Sequence, residues 1–235
     1  SYDTTNHITT ITDTNAREIK KYYDTKGYIV KTVDPVGETV IAYNLISGEN
    51  KYGEEYQITD RNENRTIYNR DDRGNITSIL YPDDSVSHYE YDSKNNLTKE
   101  IDQEGKKHFY YYDTNGNLIK EAIPINGTED YTEEANQENF VIRTYGYADF
   151  GNAKKLLSTF TDGKGNTTSY DYDTYGNLKS QTDPSGDVTA YTYSVTGNLM
   201  KQVDPDEMVT AYVYDKNGNV LRKTVAGKYV TRYLY

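Results

Sequence analysis

The sequence predicts an all-β fold: a repeat array of antiparallel β-hairpins forming one long curled or spiralling sheet. Three observations carry that reading. Tyr172, Tyr193, Tyr214 and Tyr235 stand 21 residues apart, and a fixed period near twenty residues marks a repeat architecture. Four residues past each recurring tyrosine stands glycine or asparagine, the types that accept a left-handed backbone at low cost. Finally, 27 tyrosines against 4 phenylalanines and no tryptophan, with abundant Thr and Gly, is a composition of strands and turns.

With the second Tyr of each Tyr-x-Tyr pair as anchor, the series runs Tyr2, Tyr23, Asn44, Arg70, Tyr91, Tyr112, Tyr147, Tyr172, Tyr193, Tyr214 and Tyr235. This gives about ten units over residues 1–235, seven of them 21 residues long. From Arg70 onward a tyrosine precedes every anchor by two, which puts both rings on one face of a strand. The turn positions are Asn6, Gly27, Gly48, Gly74, Asn95, Gly116, Gly151, Gly176, Gly197 and Gly218. Aspartate usually stands one residue past the anchor, so each segment reads as a type I turn ending in a left-handed residue, a common hairpin connection. Two residues later the next strand restarts on an apolar side chain such as Ile29, Leu97, Leu178 or Val220, with Asn50 the exception.

A second turn closes each unit. Asp34-Pro35-Val36-Gly37, Asp183-Pro184-Ser185-Gly186 and Asp204-Pro205 place residues at the positions a type I turn favours. Three units are longer. One carries an excursion around Glu49 to Tyr56, and another, from Tyr147, has four extra residues. The largest insertion, at about 124–144, is acidic and polar and is expected to project as a loop or a short helical turn. It reads either as a tolerated solvated excursion or as a functional loop on one face of the array.

The balance of charge and composition narrows the function classes. A formal net charge of −11 argues against binding nucleic acid or an anionic membrane through bulk charge. With no cysteine, neither a disulfide scaffold nor a thiolate metal site is available. No apolar run approaches the roughly 20 residues of a membrane helix. The chain opens and closes in the same repeat phase, so a fragment of a longer protein is expected.

The pattern Tyr-x-Tyr-Asp-x-x-Gly-Asn-Leu, followed by Asp-Pro-x-Gly, resembles the YD repeat, also called the RHS repeat. Residues 170–178 with Asp183-Pro184-Ser185-Gly186 stand close to its ideal form. The resemblance covers essentially the whole chain, strongest over 89–123 and 170–235. That family includes bacterial Rhs and wall-associated polymorphic toxins, C components of insecticidal toxin complexes, and teneurins. The resemblance implies a YD-shell segment: hairpins pair side by side into a sheet that spirals into a hollow shell, enclosing a toxin or effector domain. It also implies secretion or a bacterial cell-surface location, with neighbouring repeats or the toxin domain as partners. The cleavage core and effector of the toxins have no counterpart here, so encapsulation is expected of the parent protein.

Candidate chemistry is sparse, and a non-enzymatic role is expected, with no cofactor. Asp-Thr-Asn115-Gly116 and Asp215-Lys-Asn217-Gly218 resemble the start of a calcium loop, but glycine falls at the fourth position rather than the sixth, where a turn needs it. No metal site is therefore expected. His7, His88 and His108 fit strand positions better than a catalytic arrangement. Lys31, Lys99, Lys120, Lys155, Lys201 and Arg222 lie eight past the anchors, either pairing across strands on a wet face or lining a charged lumen. The expected structural spine is Tyr91, Tyr112, Tyr172, Tyr193, Tyr214 and Tyr235 with the turn glycines Gly116, Gly176, Gly197 and Gly218. The alternative is a carbohydrate- or cell-surface-binding module that presents Tyr170, Tyr191 and Tyr212, or the 124–144 loop, to a glycan or a surface protein.

Overall fold

An aspartate followed three residues later by a residue free to adopt positive φ closes a chain on itself within five residues. Among the described residues the protein uses that device at twelve of its reversals. The computed structural model describes residues 1–44, 55–132 and 137–235. The expected turn at Gly48, the strand restart at Asn50 and most of the Glu49–Tyr56 excursion lie outside the described residues, as do 133–136 of the large insertion.

The described residues form strands and turns, with a single 3₁₀ turn at Gln137–Asn139. They fall into two compact units, Ser1–Tyr110 with Ile123–Thr132, and Tyr111–Ala122 with Glu133–Tyr235. The first unit holds β1 (Tyr2–Asp3), β2 (Ile8–Thr12), β3 (Glu18–Tyr23), β4 (Ile29–Asp34), β5 (Gly37–Asn44), β6 (Glu55–Thr59), β7 (Arg65–Arg70), β8 (Ile76–Leu80), β9 (Val86–Tyr91), β10 (Leu97–Ile101) and most of β11 (Lys107–Tyr112). The second holds most of β12 (Leu118–Pro124), then β13 (Phe140–Phe150), β14 (Ala153–Thr161), β15 (Thr167–Tyr172), β16 (Leu178–Thr182), β17 (Val188–Tyr193), β18 (Leu199–Val203), β19 (Val209–Tyr214), β20 (Val220–Val225) and β21 (Tyr229–Arg232).

Every strand pairing described is antiparallel and joins strands consecutive in the chain, from β1–β2 through β10–β11 and from β13–β14 through β20–β21. The fold is the all-β hairpin array the sequence predicts. Its ladder supplies order that the composition alone does not, because contacts between chain neighbours carry little loop-closure cost.

In the repeats from Arg70, Tyr91, Tyr172 and Tyr193 the first and second turns share one geometry, also found at the first turn from Asp113. At the first turn, the Gly116 N–H donates to the Asp113 carbonyl at 3.0 Å and the Asp113 N–H to the Asn117 carbonyl at 2.9 Å. At the second, Gly186 and Asp183 repeat the pattern at 3.0 Å and 2.9 Å, with Asp187 as acceptor. The fourth residue is left-handed in each, φ +86° at Gly116 and +91° at Gly186. The first hairpin departs from expectation. Its left-handed residue is His7 (φ 53°) rather than Asn6, because Asp3 pairs with Ile8 and the loop is one residue longer. Asn6 instead turns its side-chain amide onto the Asp3 carboxylate at 2.8 Å.

A bulge accompanies the first turns. Tyr172 faces Leu178 and Asp171 faces Ser180, so Lys179 has no partner opposite it. The same shift occurs at Tyr23, Arg70, Tyr91, Tyr193 and Tyr214. One extra residue changes the face of everything beyond it.

The core is thin. Buried apolar side chains among the described residues are led by Phe109 and Tyr131 in the first unit and Ala122 and Phe140 in the second. All fall between residues 109 and 140. Part of the 124–144 insertion therefore does not project as expected. Tyr131 is only 9% exposed, Gly127 is buried, and the Gly127 carbonyl accepts the Lys107 N–H at 2.7 Å. The acidic composition of this stretch hides a tyrosine that is buried, and Lys99 and Lys107 beneath it supply the countercharge.

Candidate functional site

Two surfaces recur in every unit and carry the polar chemistry: the turn column and the tyrosine face. At the turns, the aspartate carboxylate is filled by the chain's own donors. One Asp113 oxygen accepts the N–H groups of Asn115 and Asn117 at 2.8 and 3.0 Å, and the other accepts the Asn117 side-chain amide at 2.8 Å. Asp71, Asp92, Asp173 and Asp215 are held in the same way by Asn75, Asn96, Asn177 and Asn219. Hydrogen bonds to the ionised form favour it. The Asn117 side-chain bond foremost, with the main-chain bonds, pulls the Asp113 carboxyl down to about 2. Asp71, Asp92, Asp173 and Asp215 are also lowered, each first by its asparagine side chain. Such a carboxylate is turned inward onto amides. Among the described residues no cluster of three or more His, Asp or Glu side chains could hold a metal.

Neighbouring turns also touch. The Asn75 side chain donates to Asn95 Oδ1 at 2.9 Å, and Arg73 reaches the Asp92 carbonyl at 2.6 Å. In the second unit a Cβ placed on Gly176 would come within 3.3 Å of the Ala153 Cβ. Gly176 thus answers two demands, positive φ (91°) and close approach.

On the tyrosine face, the anchors Tyr91, Tyr112, Tyr147, Tyr172, Tyr193 and Tyr214 are half-buried, whereas Tyr235 lies past β21 and is 79% exposed. The Tyr214 hydroxyl donates to the Leu199 carbonyl at 2.7 Å, and Tyr147 makes the equivalent bond to Leu118 at 2.9 Å. Burial raises the Tyr91, Tyr147, Tyr172, Tyr193 and Tyr214 hydroxyls above their ordinary range. Where the anchor is Arg70, its planar guanidinium lies 4.7 Å over the Tyr56 ring, and Tyr56 stacks on Tyr68 at 4.4 Å. One flat cation takes the place of a ring.

Between the tyrosines runs a second column, nine past the anchors, that sequence reading missed: Ile79, Glu100, Glu121, Gln181, Gln202 and Lys223. Across the ladder Ile79 stands opposite Tyr68, Glu100 opposite Tyr89, Gln181 opposite Tyr170, Gln202 opposite Tyr191 and Lys223 opposite Tyr212. In the first unit, Tyr110 donates to Glu100 at 3.3 Å and meets His108 Nδ1 at 3.0 Å. In the second unit, Tyr145 donates to Glu121 at 2.9 Å, and Arg143 pairs with the other Glu121 oxygen at 3.2 Å. Burial first, then Glu121, pushes the Tyr145 hydroxyl up to about 12. Tyr170, Tyr191 and Tyr212 are half-buried on this face, with the Lys223 ammonium 5.8 Å above Tyr212.

Lys31, Lys99, Lys201 and Arg222, eight past their anchors, lie on the opposite face, because the bulge sets each against the residue before the anchor, whereas Lys155 falls in the β13–β14 bulge with no residue opposite it. Lys99 faces Glu90 and pairs with it at 3.3 Å. Lys31 sits 4.9 Å over Tyr22 and Lys120 4.3 Å over Tyr111. Cross-strand pairing is thus the arrangement seen where these contacts occur. His7 lies at a turn, while His88 and His108 lie on strands.

Among solved structures, the chain is similar to the Photorhabdus luminescens Tc holotoxin pore, with 14% identity, 94% of this chain and 14% of that chain covered, and a TM-score of 0.44. A TcdB2-TccC3-Cdc42 structure is matched at 14% identity over 94% of this chain and 15% of that one, TM-score 0.47. A porin-like protein from Bacteroides uniformis is matched at 12% identity over 93% and 92%, TM-score 0.26. The chain spans about a seventh of the toxin-complex chains. No curated protein matches it. The RHS Repeat pattern matches residues 70–107, 151–186, 172–207 and 193–230. These stretches make up about half of the sequence and coincide with hairpins whose Asp–Asn turns and paired tyrosines are described above, so the chain belongs to the RHS-repeat family.

Proposed function

We propose that the chain is a non-enzymatic structural segment of a YD-repeat shell, which encapsulates or presents a toxin or effector within a large secreted bacterial protein. The observation that carries this reading is the use of the tyrosine hydroxyls. Tyr147 and Tyr214 bond the main-chain carbonyls of Leu118 and Leu199 in the preceding repeat, so the rings tie one hairpin to the next. Pairing between consecutive strands supports it too, since such an array lengthens by adding hairpins without rebuilding a core. In this reading the tyrosines from Tyr91 to Tyr235 form the spine and Gly116, Gly176, Gly197 and Gly218 the turns. The partners are further repeats and the enclosed domain.

Limited proteolysis of the full-length protein tests the shell. The enclosed polypeptide is expected to survive at neutral pH and to be cut once acid opens the repeats. Cleavage at neutral pH as fast as that of the isolated cargo would overturn the reading.

A second reading, glycan binding, is favoured by the pairing of Tyr170 with Gln181 and Tyr191 with Gln202, since ring and amide together suit a sugar. A glycan array separates the two. Reproducible binding lost in Tyr191→Ala supports the second, and no binding supports the spine.

A further inference from the structure

The segment after β12 is built as a unit before it touches anything else. The Gly127 N–H donates to the Pro124 carbonyl at 3.1 Å. Asn126 Oδ1 then accepts the N–H groups of Thr128 and Glu129, both at 3.1 Å. Gly127 sits at φ +84°, and a Cβ there would stand 3.0 Å from the Lys106 side chain. Two of its links run to β10 and β11, in the same compact unit. One is the Lys107 N–H to Gly127 carbonyl bond of 2.7 Å. The other is Asp130, whose carboxylate oxygen lies 2.9 Å from the Lys107 ammonium and 3.5 Å from that of Lys99.

Lys99 and Lys107 project from β10 and β11 on the face opposite the tyrosines. There Lys99 also pairs with Glu90 of β9 and lies 5.7 Å over the Phe109 ring. The ladders β9–β10 and β10–β11 close by their own registers, Lys99 with Glu90 and Phe109, Ile101 with His88 and Lys107. Their pairing does not pass through residues 124–131. We propose that residues 124–131 form an ionic strap over the β9–β11 face opposite the tyrosines, pinned by Asp130 between Lys99 and Lys107. The strap opens as a unit while the sheet beneath stays paired. Opening frees a lysine pair already spaced to hold one carboxylate. Proteins open locally in contiguous units, and the pairs made by the exposed Asp130 carboxylate weaken as salt rises.

Hydrogen–deuterium exchange read by mass spectrometry on the whole chain tests it, comparing wild type, Asp130→Asn and the double variant Lys99→Gln, Lys107→Gln. Peptides covering 125–132 are expected to exchange about tenfold faster in both variants, and faster in wild type at about 1 M salt, where screening is nearly complete. Peptides covering 97–101 are expected to keep their wild-type rate. Gly127→Ala, which strains the strap's own turn without touching the ion pairs, is expected to accelerate 125–132 in the same way. If 97–101 accelerates together with 125–132, the strap is part of the sheet's cooperative unit and the proposal falls. It falls equally if 125–132 is unchanged in both charge variants, since packing of Tyr131 would then hold the segment.

Discussion

The side-chain amide of Asn117 reaches back across its turn to the Asp113 carboxylate at 2.8 Å, locking a loop whose main chain already donates twice to the same group. Hydrogen bonds to an ionised acceptor are among the stronger kinds. Asn117→Ala removes one of three, and a lower melting temperature is expected. Asp113→Ala removes all three and lowers it further. Thermal melts of the two variants check the order, and equal melting temperatures would show that the side-chain bond contributes nothing.

The same clamps set an acid limit. The Asp113 carboxyl is held near 2, below its ordinary value of 3.8. A group whose folded value is depressed contributes stability that is complete above the unfolded value and is lost as pH falls through the folded one. Asp71, Asp92, Asp173 and Asp215 shift in the same direction. Stability is therefore expected to hold down to about pH 4 and to fall steeply from there toward pH 2. A melting-temperature profile against pH checks this. Replacing several clamp asparagines by alanine is expected to flatten the acid limb, because it removes the cause of the shift.

The hairpin architecture was legible because a left-handed turn position constrains residue type more tightly than a strand does. Gly116, Gly176, Gly197 and Gly218 all adopt positive φ, and no burial pattern was needed to find them. The second turns were less legible, since Ala16, Glu63, Asp84 and Glu207 fill the same left-handed place at a cost the surrounding ladder absorbs. The bulge was invisible, because Val30, Thr98, Lys179 and Leu221 share no residue type that marks it. It alone decides that Lys99 leaves the tyrosine face and Glu100 joins it. The burial of Tyr131 was hidden by the acidic residues around it.

The contrast between the two turns gives a stability test. A side chain in the left-handed region costs roughly 1–2 kcal/mol. Gly197→Ala (φ 82°) is expected to destabilise by about 1 kcal/mol. Glu207→Gly (φ 62°) is expected to stabilise, by somewhat less because glycine adds freedom to the unfolded chain. Chemical denaturation of both variants reads the signs, and a destabilised Glu207→Gly would mean that the glutamate side chain matters more than its backbone.

The hydroxyls of the spine are separable from its rings. Tyr214→Phe keeps the ring and removes the donor to Leu199, leaving a carbonyl to be satisfied elsewhere. A loss of about 1 kcal/mol is expected. Tyr214→Ala removes the packing too, and about 2–3 kcal/mol is expected for a half-buried ring. If Phe and Ala cost the same, the bond rather than the ring holds neighbouring repeats together.

Glu121 offers a direct reading of the tyrosine face. Its side chain is 12% exposed, accepts Tyr145 and pairs with Arg143. Burial and this carboxylate hold the Tyr145 hydroxyl at about 12 against an ordinary 10. The folded value is the higher one, so the stability linked to it is complete below about pH 10 and is lost as pH rises toward 12. Ultraviolet titration of the tyrosines is expected to show Tyr145 among the last to ionise, identified by its absence in Tyr145→Phe. In Glu121→Gln the negative charge is gone while an acceptor remains, and the Tyr145 value is expected to fall toward 10 without reaching it, because burial is the larger cause. A value unchanged in Glu121→Gln would assign the whole shift to burial and leave Glu121 as a partner of Arg143 alone.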